Sequence, residues 1–276
     1  MSHTKSKRLV VALTQRGNTG KSTTVAAISQ WWDHHSFEWR GFDLDPDHQS
    51  YSRWFPGQVN SVPLSEEPQG DAIRALRATL PHRISGIDPR AHLASLLLDA
   101  IETTQFTSLY ASEGGRVTAL LFPSDDLEIM DDIDGSVRRL GDSVDYLVVR
   151  NRARAPHTRM LDGSPLEQDL RKLGAGFVEI PCLLAIARNQ LAAKESEQGR
   201  GITHVEAAMN DDLGFDVMTK MVIQSWVKGV FTRLDEVAHL LLPADDADGV
   251  ISKKQPPPSP VASQRRRGAN LNLSGI

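Results

Sequence analysis

The chain has 276 residues, a net charge of −4 at neutral pH, 40% hydrophobic and 24% charged residues, enough for one large α/β domain or two small ones. Its single cysteine, Cys182, excludes an intramolecular disulfide and leaves too few thiols for a structural zinc or iron–sulfur centre, which fits a reducing cytoplasm. The 9 histidines form no H-E-x-x-H or Cys/His cluster, no secretory apolar region follows the basic start, and no apolar run approaches membrane-spanning length; a soluble, cytoplasmic protein is expected.

Residues 9–14, Leu-Val-Val-Ala-Leu-Thr, read as a buried strand. They run through Gln15-Arg16-Gly17-Asn18-Thr19-Gly20 into a helix over 21–34, whose Val25, Ile28 and Trp32 keep helical spacing. The junction Gly20-Lys21-Ser22-Thr23 has the chemistry a phosphate needs. Glycine lets the backbone approach the ligand, and free N–H groups at the helix start point at it. Lys21 would add a point charge to the β- and γ-phosphates, and the Ser22 hydroxyl a ligand for Mg²⁺. The strict pattern G-x-x-x-x-G-K-[ST] fails by one residue, because Gln15 stands at its first glycine.

A second strand ends in Phe42-Asp43-Leu44-Asp45 and is stopped by Pro46. Taken alone, the two aspartates suit a turn as well as a metal site; beside a phosphate loop they become candidates for Mg²⁺ and water positioning. Residues 55–68 carry three prolines and read as loop, and 71–80 as a helix with Ile73, Leu76 and Leu80 on one face. Two segments, 84–88 and 96–99, can each be a strand ending in a carboxylate. Leu93, Leu96, Leu97, Ala100 and Ile101 follow a helical stripe, and Pro89 suits a helix start, so Asp88 is preferred and Asp99 is the alternative.

Residues 117–122 form a further strand, 125–140 a helix with acids at its start, 144–149 a strand running into Arg150-Asn151, 165–173 a helix, and 177–180 a strand ending at Pro181. This alternation implies an α/β fold: a mostly parallel, doubly wound sheet with helices on both faces. The last third is helical. Val217, Met221, Val222, Val227, Val230, Phe231, Leu234, Val237, Ala238 and Leu241 form an apolar stripe expected to pack on the sheet. From Pro243 the pattern fails, which divides the chain into a domain over 1–243 and a disordered Pro/Arg-rich tail over 244–276. Residues 250–276 hold five basic residues and no acid, leaving −9 for the rest, so the tail is a candidate contact for a polyanion.

Ligands of parallel α/β sheets bind at the carboxyl ends of strands, where all these motifs fall. Arg16-Gly17-Asn18-Thr19-Gly20-Lys21-Ser22-Thr23 followed by Asp43-Leu44-Asp45-Pro46 resembles the ParA/MinD family of deviant Walker A P-loop ATPases, whose motifs run K-G-G-x-G-K-[ST] and D-x-D-P-Q. The resemblance in order and spacing covers about 9–242, with sharp motifs in the first fifty residues. It implies an ATPase with ATP and Mg²⁺ as cofactors. By position, Lys21 would hold the phosphates, Ser22 the metal, with Asp43 and Asp88 supporting it through water, and Asp45 would position the attacking water. Asn151 would read the adenine and Pro181 pack on it. The family forms homodimers around ATP, often binds non-specific DNA, is released by an activating partner protein, and partitions or positions plasmids, chromosomes or protein cargo. Localisation would then be at the nucleoid. Membrane attachment, as in the MinD branch, is not expected, because the tail lacks an apolar amphipathic helix.

The chain departs from the pattern at four places. Arg16 stands at the signature lysine that reaches the partner's nucleotide and would act there as a catalytic cation; Asn18 replaces a glycine; Asp47 replaces a glutamine; and Asp88 is followed by Pro89-Arg90-Ala91. Arg150, Arg152, Arg154, Arg159, Lys220, Lys228, Arg233 and the tail arginines are the DNA-contact candidates. The alternative functions are an ATP-dependent biosynthetic enzyme on the same fold and a weakly hydrolysing nucleotide-binding scaffold.

Overall fold

A computed structural model describes residues 6–63 and 65–252. The elements in chain order are β1 (Lys7–Ala12), α1 (Lys21–His34), β2 (Arg40–Leu44), α2 (Ser50–Trp54), β3 (Val59–Ser61), α3 (Pro68–Thr79), β4 (Ile84–Pro89), α4 (Leu93–Thr103), α5 (Phe106–Ser112), β5 (Gly115–Leu121), α6 (Leu127–Leu140), β6 (Asp145–Asn151), α7 (Pro165–Lys172), β7 (Gly176–Ile180), α8 (Ala185–Gln198), α9 (His204–Met209), α10 (Val217–Glu236), α11 (Ala238–Leu241) and α12 (Ala244–Ser252). The seven strands make one sheet in the order β3-β2-β4-β1-β5-β6-β7, with every neighbouring pair parallel.

Two-residue periodicity sorts each strand between two cores. Leu9 and Val11 of β1, Val117 and Ala119 of β5, and Tyr146 and Val148 of β6 face the layer of α3 to α7. Val10, Ala12, Leu120, Leu147 and Val149 face α1, α10, α11 and α12. Strands buried on both sides read as near-continuous apolar runs, and this parallel, doubly wound α/β sheet meets the sequence expectation. No described helix is long and apolar enough to cross a membrane.

Four expectations are corrected. Residues 55–68 are not all loop: Val59 is buried, and β3 adds an edge strand beside β2. The helix expected at 71 starts at Pro68, where a residue without an N–H suits the first turn. Its packed face is Ala72, Ala75 and Leu76, whereas Ile73 is exposed. The stripe of the last third divides. Val230, Leu234, Ala238 and Leu241 pack on the sheet, but Val217 and Met221 are exposed, because the first turns of α10 pack instead with α8 and α9 through Ile223 in a separate small core. Finally, residues 244–252 are helical. Ala247 and Val250 bury one face of α12 against the sheet layer, and Arg83 pairs with Asp245 (3.3 Å) and Asp246 (2.8 Å). The remaining tail, 253–276, lies outside the described residues.

The base of the sheet is tied to the C-terminal helices by Arg8, which is 6% exposed. It donates to the Leu242 carbonyl (3.0 Å), Thr118 Oγ1 (3.1 Å), Asp145 Oδ2 (2.5 Å) and the His239 carbonyl (3.0 Å). Arg8→Leu leaves those buried acceptors without their donor and is expected to cost about 2–4 kcal/mol in urea unfolding; a loss below about 1 kcal/mol would show that the network is dispensable.

Candidate functional site

The loop between β1 and α1 turns on two left-handed residues, Asn18 (φ 60°) and Gly20 (φ 89°). Asparagine is among the few side chains that tolerate this region. Gly20 has a second constraint. A Cβ there would lie 2.0 Å from Asn151 Nδ2, so the side chain at the end of β6 rests directly on the loop. Asn151 is 4% exposed and is held by the Ala153 amide, which donates to its Oδ1 (3.1 Å).

Lys21 is 7% exposed and folds back along the loop, donating to the Arg16 carbonyl (2.7 Å). Burial lowers the pKa of its ammonium, while Asp88 and Asp45 oppose the shift. Asp43 and Asp88 stand side by side in the register of β2 and β4. Asp88 is 2% exposed, and burial pushes its carboxyl up to about 7 against the opposing pull of the Ser22 hydroxyl and Lys21, with Asp43 and Asp45 adding repulsion. Its Oδ1 is buried without a hydrogen-bond partner among the described residues. A lone buried carboxylate oxygen beside the phosphate-loop serine fits a divalent cation, and Mg²⁺ takes only one or two protein ligands and keeps its waters. Ser22 with Asp88 are therefore the residues suited to hold it.

Asp43 and Asp45 serve the turn as well. Asp43 accepts from the amides of Asp45 (3.0 Å) and Ser52 (2.9 Å), and Asp45 Oδ1 accepts from those of Asp47 (3.0 Å) and His48 (3.2 Å). Burial raises the Asp43 carboxyl, and those amide bonds oppose the shift. Asp99 has a different setting: on α4 it pairs with Arg139 at 2.6 Å.

Three cavities surround the loop. One of about 570 Å³ is walled by Gly17, Asn18, Gly20, Lys21, Ser22, Thr23, Asp45 and Arg90. A narrower one of about 190 Å³ is walled by Thr23, Asn151 and Pro181 with Trp54, His204 and Trp226. The third, of about 420 Å³, has Arg16 and Thr19 in its wall. Arg16 is largely exposed and pairs with Glu128 of α6 at 2.8 Å.

Several lining residues carry no sequence motif. Trp226 donates to the Pro181 carbonyl (2.7 Å) and its ring lies 4.5 Å from that of His204, whose imidazole burial pushes down to about 4. Two departures from the family pattern prove to be partners: Arg90 pairs with Asp47 at 2.5 Å, joining the loops after β4 and β2. Of the proposed DNA contacts, Arg150 pairs with Asp162 (2.6 Å), Arg152 with Glu179 (2.6 Å) and Lys220 with Asp211.

No protein-family model matches the chain, and no curated protein does. Among solved structures it is similar to the MinD cell division protein of Aquifex aeolicus, at 13% identity and a TM-score of 0.43, over 82% of this chain and 97% of that one. A likeness at this level transfers no ligand or activity. The fold rests on the strand order, and the site on its own geometry.

Asp88 supplies a pH test. Its raised pKa means that the ionised carboxyl costs stability: nothing below the unfolded value near 3.8, increasingly up to about 7, and fully above. Asp88→Asn should therefore stabilise the nucleotide-free protein at pH 8 by about 1–3 kcal/mol, and by almost nothing at pH 4. Urea unfolding at the two pH values checks it, and an equal effect at both would contradict the burial argument.

Proposed function

We propose that the chain is a Mg²⁺-dependent ATPase switch of the ParA/MinD type, which dimerises around ATP and positions DNA or protein cargo. The observation that supports this most is the convergence, at the carboxyl ends of adjacent parallel strands, of a phosphate-type loop with Lys21 and Ser22, the buried Asp88 carboxylate, and Asp45 on the wall of the same cavity as the loop.

The amides at the start of α1 and Lys21 would hold the β- and γ-phosphates. Ser22, with Asp88 and Asp43 behind it, would hold Mg²⁺, which would supply positive charge at the phosphate oxygens. Asp45 has one oxygen fixed by two backbone amides, and its Oδ2 accepts no hydrogen bond from the described residues. That oxygen would orient the attacking water and take its proton. The base would lie in the narrower cavity, with Asn151 reading its edge and Pro181 on its face. Arg16, exposed beside the loop, would exchange Glu128 for the nucleotide of the opposite subunit, as an arginine finger does. Binding of cargo DNA would come from phosphate contacts and weaken steeply with salt.

Lys21→Ala should weaken ATP binding by about 10- to 100-fold in calorimetry; undiminished affinity would remove the phosphate-loop assignment. Asp45→Ala should slow turnover by about 100-fold or more while retaining the ATP-bound dimer. Light scattering after size exclusion, on Asp45→Ala with ADP or with ATP and Mg²⁺, with and without duplex DNA, tests the switch. A dimer only with ATP, and DNA retained only by that dimer, is the expected result. A monomer in every state would overturn the switch and leave a biosynthetic enzyme or a scaffold.

A further inference from the structure

We infer that Arg154, which no motif singles out for nucleotide binding, grips the α-phosphate of a bound nucleotide within its own subunit; this rests on the nucleotide reading of the site above. Arg154 lines all three cavities around the loop, and with Thr23 and Trp54 it walls both the phosphate cavity and the base cavity. The junction of those two spaces is where the phosphate nearest the sugar must pass.

Its position is fixed by local structure. The amides of Arg154 (3.1 Å) and Ala155 (2.8 Å) both donate to the Asn151 carbonyl, and the Ala153 amide donates to the Asn151 side chain (3.1 Å). This tight turn locks Arg154 to the residue that rests on Gly20. The Arg154 Cγ itself lies 3.6 Å from where a Gly20 Cβ would be, so its stem crosses the loop.

Charge points the same way. Arg150 and Arg152 are committed to Asp162 and Glu179, and Arg90, across the phosphate cavity, to Asp47. Arg154 is exposed and has no side-chain hydrogen bond or ion pair among the described residues. Lys21 already faces Asp45 and Asp88, and a polyphosphate brings several further negative charges. An uncommitted guanidinium offers paired donors that match phosphate oxygens. In this assignment Arg154 is a nucleotide contact and leaves the set of DNA-contact candidates.

The test is calorimetry of ADP, ATP and the two diastereomers of α-thio-ADP with Mg²⁺ on the full chain, its Arg154→Gln and Arg154→Lys variants, and Arg159→Gln as the control loop arginine. Arg154→Gln should weaken ADP and ATP by the same factor, about 10- to 30-fold, with Arg154→Lys intermediate and Arg159→Gln unchanged. The wild-type preference between the α-thio diastereomers should collapse in Arg154→Gln while its thermal midpoint without nucleotide stays unchanged. A loss confined to ATP would move the contact to the γ-phosphate and overturn the assignment, as would a preserved diastereomer preference. Unchanged nucleotide affinity with weakened binding to duplex DNA would make Arg154 a DNA contact instead. If ADP binds the wild type, depends on Lys21 and ignores Arg154, only this inference fails; if the wild type binds neither nucleotide, the reading of the whole site fails with it.

Discussion

Parallel pairing of β1 with β4 on one side and β5 on the other is the constraint on which the site depends. It brings the loop after β1 next to the end of β4, so Ser22 and Asp88 share one small volume although 66 positions separate them in the sequence. The same sheet continues through β5 to β6 and delivers Asn151 onto Gly20 from the other direction. A parallel sheet opens all its carboxyl ends on one edge, and each helix returning along a face leaves its N-terminus there. The phosphate-type loop, the carboxylates and the base-sized cavity are consequences of that one geometry.

The electrostatics of this edge are costly to the folded chain. Asp43 and Asp88 are buried neighbours with raised pKa values, Lys21 is buried with a lowered one, and the Asp88 Oδ1 has no hydrogen-bond partner among the described residues. Burial of charge is tolerated where something else repays it. The opposite end of the sheet shows the contrast. There Arg8 is buried too, but each of its three nitrogens donates to an acceptor, and its work is to hold α11 and the chain beyond it against the sheet.

Much of this was legible along the chain, in different degrees. Alternating strand and helix patterns gave the sheet and both its faces, since strands buried on two sides read as near-continuous apolar runs. Preference for Asp88 over Asp99 came from a helical stripe, and the structure places Asp88 at a strand end and Asp99 on a helix paired with Arg139. Asp43 and Asp45 were open to a turn reading and a metal reading; their amide bonds show the turn role, which one carboxylate can fill while offering another oxygen outward. What pattern could not show was which apolar residues find a neighbour. Ile73 and Val217 are apolar and sit in helices, yet they are exposed, at 36% and 72%, while Ala72, Ala75 and Leu76 of α3 are buried. Conversely, Ala247 and Val250 read as the start of a polar tail and are buried, with Arg83 pairing to Asp245 and Asp246 and holding α12 against the domain.

By itself the sequence determined most element types, the layered architecture and the phosphate-type loop, because hydrophobic period, glycine placement and proline stops act over a few residues and need no knowledge of the rest. Only the tertiary structure decided which distant groups meet: Asn151 on Gly20, Asp88 beside Ser22, Arg90 with Asp47, and Arg154 at the junction of the cavities. Those contacts depend on strand order. Strand order is set by how the whole set of apolar faces can be buried at once, and no local stretch of sequence carries that information.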